Sequence, residues 1–363
     1  MATTLHEIFG TDTNTGLVKQ VVGGVPNDLP PALMTLTKPV EGNTGKYSII
    51  DDTRRNAPIT GHKSPSRTMQ QKERKQREFT CLSPRINHIY DDDILDRLES
   101  FDNPGRQEMG IEEVSHQTRI LATYLKNTRT SAWASALSRG AISYNKQGDI
   151  QPGSSTYNID YEIPAGHKNQ CNVFGSGNIF TATWNTVGTD IPQHITGLKN
   201  AAVRETGYPL TWALYGKNVL SYLLKNNMAA NIVRGTAAAT VFASNQIPNG
   251  FLGLNWLNAS DHFFEDENGN IQDWFGDDDI VFMPEPDIGW IYTAEGTSTV
   301  PKNNDISANA VSALGRSVQK VRGAFGYAKI TDDPCAVTQI MGDTFLPIIA
   351  VPKNLYIATV AGF

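Results

Sequence analysis

The residue types able to do chemistry are present in this chain but are not gathered. Seven histidines, at positions 6, 62, 88, 116, 167, 194 and 262, stand at least 26 residues apart. No His-x-His or His-x-x-x-His pair therefore supplies the local half of a zinc site. Cys81, Cys171 and Cys335 are odd in number and widely separated, which suggests neither a disulfide framework nor a metal ligand set. There is no Gly-x-Ser-x-Gly elbow, no Walker loop and no Gly-x-Gly-x-x-Gly turn. "DENGNIQDWFGDDD", Asp266 to Asp279, is the best metal candidate, but an EF-hand loop opening at Asp266 needs Gly at its sixth position, where Ile271 stands. It reads as a hairpin turn at Asn268-Gly269 followed by a solvated acidic loop. These patterns name no enzyme, metal or cofactor.

The most unusual charge pattern is "GHKSPSRTMQQKERKQREF", Gly61 to Phe79, in a chain of net charge −6. From Asp51 to Tyr90 nine Lys or Arg face four Asp or Glu. The basic residues Arg54, Arg55, Lys63, Arg67, Lys72, Arg74, Lys75 and Arg77 lack the interleaved aromatics on which bases would stack. They are followed by "DDDILDRLES", whose Asp91, Asp92 and Asp93 form an acidic shelf. A basic stretch and an acidic shelf on one chain can meet across two copies of it, where opposite potentials steer and register the contact. Head-to-tail contacts of that kind close into rings. These eleven residues are the expected intersubunit contacts. A nucleic-acid-binding protein using residues 54–77, whose affinity would fall steeply with salt, and a metal-assisted hydrolase centred on the acidic loop are the readings from other classes.

The elements that must position these charges can be read from capping and periodicity. At 363 residues with 39% apolar and 19% charged side chains, the chain has material for one large composite domain or a few smaller ones. No stretch approaches the roughly 20 apolar residues a membrane helix needs, and "MATTLHEIFGTDTNTG" lacks the pattern of a secretory signal. Residues 1–45, rich in Pro, Gly and Asn, read as an extended arm needing a partner surface. Strand-like segments at Tyr47 to Ile50 and Glu78 to Leu82 bracket the basic stretch, as in a long hairpin. Asp102-Asn103-Pro104 and Gly140 predict a helix between them, with Val114, Leu121, Leu125, Thr128, Ala132 and Ala136 inward and Arg129 and Arg139 serving its carboxyl-terminal dipole. Strand, turn and strand follow over 141–170, then a helix from Pro192 to about Glu205, a strand with a helix from Gly216, a β-meander over 250–285, and two strands hinged at Pro352-Lys353-Asn354.

This order resembles the HK97-type fold of tailed-phage major capsid proteins, and within it the lambda-type, or E, family. The carrying segments are "ALSRGAISYNKQGD" leading into "YNIDYEIPAGHKN", then "TATWNTVGTDIPQHI", "TGYPLTWALYGKNVLSYLLKNN", "FEDENGNIQDWFGDDDIVFMPEPDIGWIYTAEG" and "FLPIIAVPKNLYIATV". The resemblance implies an α+β, HK97-like capsid fold with an extended N-terminal arm (1–45), a long β-hairpin or E-loop (46–90) and a peripheral domain (91–195) with a spine helix at about 104–140. An axial domain (196–330) and C-terminal strands returning to the peripheral domain (331–363) complete it.

It implies a major capsid protein that is not an enzyme and carries no cofactor, assembling into hexamers and pentamers of an icosahedral shell around a double-stranded DNA phage genome. The hairpin would lie over one neighbour and the arm would reach across another. Separate scaffolding and portal proteins are the implied partners, with a decoration protein as a further candidate and no membrane. Synthesis in the bacterial host cytoplasm and residence in the virion capsid follow. An encapsulin-like nanocompartment shell protein is the alternative within the same fold.

Overall fold

Asn103 and Gly140 bracket the longest element as the sequence predicts. The Asn103 side chain accepts from the Arg106 N–H, Pro104 fills the first helical position, and 36 residues later Gly140 turns left-handed (φ 67°) with its N–H bonded to the Ala136 carbonyl. At about 1.5 Å per residue this spine helix runs roughly 54 Å. Its stripe is inward at Val114, Leu121, Leu125, Ala132 and Ala136, while Thr128 is only half-buried.

The computed structural model describes residues 8–24, 29–49, 75–98, 100, 103–144, 157–168, 179–234, 236, 238–244, 246–248, 250–260, 263–265, 269–286, 289–301, 318–332 and 335–361. In chain order the elements are α1 (Thr11–Val22), α2 (Pro31–Thr35), β1 (Thr37–Pro39), β2 (Thr44–Ile49), β3 (Lys75–Thr80), β4 (Arg85–Tyr90), α3 (Asp92–Leu98) and the spine helix α4 (Pro104–Arg139). Then come β5 (Ala141–Tyr144), β6 (Tyr157–Asp160), α5 (Ile191–Glu205), β7 (Trp212–Tyr215), α6 (Lys217–Lys225), α7 (Asn227–Val233), α8 (Ala238–Ala243), β8 (Asn255–Asn258), β9 (Phe263–Glu265) and β10 (Ile271–Asp273). The last are β11 (Asp279–Met283), β12 (Ile291–Glu295), β13 (Thr297–Pro301), β14 (Val318–Arg322), β15 (Phe325–Asp332), β16 (Cys335–Gly342), β17 (Phe345–Ile349) and β18 (Tyr356–Thr359).

A four-stranded sheet of order β18-β11-β7-β8 separates two apolar cores. Because strand side chains alternate, Leu214, Val281, Met283 and Ile357 point to the core that holds Trp133, Ala136 and Leu137 of the spine helix. Ala213, Tyr215, Ile280, Phe282, Tyr356 and Ala358 point the other way, into a core shared with α5, α6 and α7. Both faces being covered explains why these strands read as continuous apolar runs. The Pro352–Asn354 turn carries the chain from β17, paired with β12, to β18, paired with β11.

Two expectations change. The described part of the N-terminal segment is not an extended arm: α1 packs on the spine helix and β15, with Val18 and Val22 fully buried and Thr15 Oγ1 donating to the Gly326 carbonyl. Leu29, Leu33 and Met34 enter the main core. The 250–285 region is not a meander, because β8 pairs parallel with β7 and, among the described residues, only β9 and β10 form a local antiparallel pair; Asn268 lies outside the described residues. Strand pairing also links segments assigned to different domains. β12, within the span 196–330 assigned to an axial domain, pairs with β1 and β17, and β15, which begins in that span, pairs with β16, itself paired with β4; the last strand, β18, belongs to the sheet between the cores.

His194 on α5 carries a pH signature. Its Nε2 accepts from the Thr181 N–H at 3.1 Å, and burial pushes its pKa below the ordinary 6.5, the nearby Asp190 charge opposing this in part. The native state therefore resists a proton that the unfolded chain accepts at about pH 6.5. Stability is expected to fall as pH drops below 6.5, and His194→Gln should reduce that acid slope, as read by urea titrations between roughly pH 6.5 and 5.

Candidate assembly interface

The hairpin root is built on alternation. β2 and β3 pair antiparallel with Gly45 opposite Phe79, Tyr47 opposite Arg77 and Ile49 opposite Lys75. Tyr47 is buried in the main core, and Ile49 and Phe79 pack against it. Gly45 is required by close approach: a Cβ there would lie 2.5 Å from the Phe79 ring. Lys46 and Glu78 occupy the opposite, solvent face, paired at 2.6 Å and mostly exposed. Within the basic stretch, Lys75 to Phe79 is thus strand.

Of the eleven expected contact residues, Arg54, Arg55, Lys63, Arg67, Lys72 and Arg74 lie outside the described residues. Lys75 stands exposed at the start of β3. Asp91, Asp92 and Asp93 are exposed where α3 begins, the Asp91 carbonyl accepting from the Ile94 and Leu95 N–H groups and the Asp92 and Asp93 carboxylates facing the positive end of the helix dipole. Among the described residues no ion pair joins Lys75 or Arg77 to this shelf. Arg77 departs from the expectation for a physical reason. The strand period turns it to the inner face with Tyr47, where its Nη1 donates to the Asp160 carbonyl at 3.1 Å and its Nη2 pairs with the Glu162 carboxylate of the same chain.

Arg129 is the residue whose role sequence reasoning missed. It does not serve the helix dipole at the surface. It is 3% exposed, its Nε and Nη2 each donate at 2.9 Å to the two oxygens of the fully buried Asp343, and its Nη1 reaches Glu295 at 3.4 Å. Its position four residues from both Leu125 and Trp133, on the apolar stripe, is the signal that could have found it. A neutral network lies nearby on the same helix. Gln339 donates to Asn14 Oδ1 at 2.7 Å and accepts from the Tyr90 hydroxyl at 2.7 Å and the Thr118 hydroxyl at 3.2 Å, so α1, β4, the spine helix and β16 share one buried amide.

The acidic loop is used for joints. Asp278 Oδ1 accepts from Tyr222 OH at 2.7 Å and Asn218 Nδ2 at 3.1 Å, and Asp279 Oδ1 accepts from the Thr359 hydroxyl at 2.7 Å. Among the described residues no group of three His, Cys, Asp or Glu is arranged to hold a metal ion, and no helix is long and apolar enough to cross a membrane. Burial pushes the Cys81 thiol up to about 11.

A hairpin rooted in the core, a long spine helix and a four-stranded sheet covered on both faces make a subunit of mixed helix and sheet. The fold is that of two crystal structures, each at low identity. One is a protein assigned as a prophage capsid protein of E. coli CFT073 (TM-score 0.53, 13% identity, covering 97% of this chain and 99% of that one). The other is a phage-related protein of Bordetella bronchiseptica RB50 (TM-score 0.51, 11% identity, covering 98% and 99%). No curated protein gives a significant match. The family model for phage major capsid protein E matches residues 25–314, and the chain belongs to that family. It is a shell-forming structural protein.

Proposed function

We propose that this chain is the major shell subunit of a tailed phage, assembling as hexamers and pentamers around double-stranded DNA without sequence-specific binding. The family match over residues 25–314 carries the reading. It favours a phage shell over an encapsulin-like compartment, a nucleic-acid-binding protein or a hydrolase. In this reading the subunit is not an enzyme, is made in the host cytoplasm and resides in the virion, with separate scaffolding and portal proteins. The β2-β3 pair leads toward a neighbouring copy, and the exposed Lys75, with the basic residues that precede it in sequence, meets that copy's Asp91, Asp92 and Asp93. Two features support this contact. The shelf is exposed, and it adjoins β4, an edge strand of the β15-β16-β4 sheet whose Ile89 is 58% exposed; an apolar centre beside a charged rim is the usual make-up of a specific interface.

Electron microscopy of the protein, expressed with and without its neighbouring genes, tests the assembly. Uniform shells or capsomer rings support it. Shells filled with protein cargo and never with DNA would overturn the genome-enclosing part. The charge contact has its own test. Arg74→Glu with Lys75→Glu is expected to lower shell yield about tenfold at fixed concentration, equivalent to ~1.4 kcal/mol of contact energy, with the subunit still folded. Arg77 is left intact in that variant because its partners are in its own chain. Adding Asp92→Lys and Asp93→Lys is expected to restore yield; no loss in the first variant would exclude the charge contact.

A further inference from the structure

We propose that Arg77, Asp160 and Glu162 form an intrachain latch that fixes the direction of the β2-β3 pair relative to the spine helix. The latch rests on the shell-subunit reading for its purpose, and on geometry alone for its existence.

Arg77 retains only 20% of its side-chain exposure, although its neighbour Glu78 keeps 76%. Its guanidinium spans two acceptors on one short segment, the Asp160 main-chain carbonyl and the Glu162 carboxylate. Forked, charge-assisted contacts of this kind set direction as well as distance. A single surface ion pair contributes little by itself, so the second observation decides. Glu162 has φ +51°, one of two non-glycine residues with positive φ among the described residues. Such a conformation persists only where its surroundings over-determine it, and it marks a constrained position.

The surroundings are identifiable. The Glu162 N–H donates to Asp160 Oδ1 at 2.9 Å, and the same oxygen takes Lys168 Nζ at 3.3 Å. On either side, Tyr161 and Ile163 are buried in the main core. The Tyr161 N–H donates to the Gly140 carbonyl at 3.0 Å and its hydroxyl to the Pro347 carbonyl at 2.6 Å. Ile163 fills the space beside Gly140, where a Cβ would meet its Cδ1 at 2.3 Å. The segment holding the acceptors is therefore clamped to the carboxyl end of the spine helix, and Arg77 transmits that position to β3. A hairpin that must reach a neighbouring copy gains from being held in one direction before contact, since ordering it at contact would subtract from affinity.

The test uses full-length chains carrying Arg77→Glu, Glu162→Arg, both together, or Glu162→Gly. Glycine adopts the positive φ freely, so Glu162→Gly removes the carboxylate without straining the fold and separates positioning from stability. Hydrogen exchange of the soluble subunit is expected to show the 44–49 and 75–80 amides opening about tenfold faster in each single variant. The double reversal, which recreates the pair with opposite sign, is expected to restore protection and shell yield. Co-expression of the Arg77→Glu chain with the Glu162→Arg chain is expected not to restore yield, because neither chain then holds its own pair. Unchanged exchange in the single variants, failure of the double reversal, or rescue by co-expression would each overturn the latch. Exchange is read on unassembled subunits, so absence of shells from the unaltered chain would count against the shell reading and leave the latch decided separately.

Discussion

Asp343→Ala is expected to destabilise the subunit by about 3–5 kcal/mol, because it strands a buried charge. Asp343 is fully buried in the turn between β16 and β17 and receives both 2.9 Å bonds from Arg129. Its own N–H is already engaged with the Pro84 carbonyl. Without the carboxylate, Arg129 keeps Glu295 at 3.4 Å and the Phe345 ring 5.1 Å from its Cζ, neither of which replaces two charge-assisted bonds. Glu295→Gln should cost less, since that side chain is partly exposed and solvent screens what it contributes. The double replacement Arg129→Met with Asp343→Leu should recover most of the loss, because removing both members also removes their desolvation penalty. Urea midpoints with unchanged slope across the four proteins check the order. A single variant as stable as the parent would mean that water reaches the pair.

The same residues show what could be read before the structure and what could not. The spine helix was legible because its signals are local: a capping Asn before Pro at one end, a left-handed Gly at the other, and an apolar stripe between them. The hairpin root was legible through strand-like ends around a polar middle. Arg129 was misassigned because its partner is 214 residues away; a helix read alone shows a cation near its carboxyl end and nothing of the carboxylate waiting in a turn. Arg77 and Lys75 are equivalent in a charge count and share a face of β3, yet Arg77, one pair nearer the hairpin root, meets Asp160, 83 residues on, while Lys75 stands exposed at the start of the strand. The N-terminal segment misled for a related reason. Its Pro and Gly content argues for extension, whereas the surface that makes α1 worth folding is supplied by the spine helix and β15 of the same chain. The parallel partnership of β7 with β8 is likewise invisible locally, since each strand states only that it is a strand.

Gly140→Val is expected to be comparably severe, at about 3–5 kcal/mol, and for two separable reasons. The first is conformational. Gly140 sits at φ 67° as the residue that ends the spine helix, and a β-branched residue is a genuine outlier in that region, with a cost of about 1–3 kcal/mol. The second is steric. The Ile163 side chain occupies the place of the missing Cβ, at 2.3 Å from Cδ1 and 3.1 Å from Cγ1, and overpacking of this kind costs a further ~1–3 kcal/mol. Gly140→Ala keeps both faults at smaller size and should fall between. Combining Gly140→Val with Ile163→Ala relieves the clash but leaves the dihedral strain and opens space in the core, so it should recover part of the loss. Full recovery would assign the whole effect to packing, and none would assign it to the backbone. The urea midpoint reads the sum of the two terms, while hydrogen exchange at the 75–80 amides reads where the damage travels. Gly140 holds the 161–163 segment, and that segment holds Arg77, so a fault at the end of the spine helix should loosen the hairpin even in a subunit that remains folded.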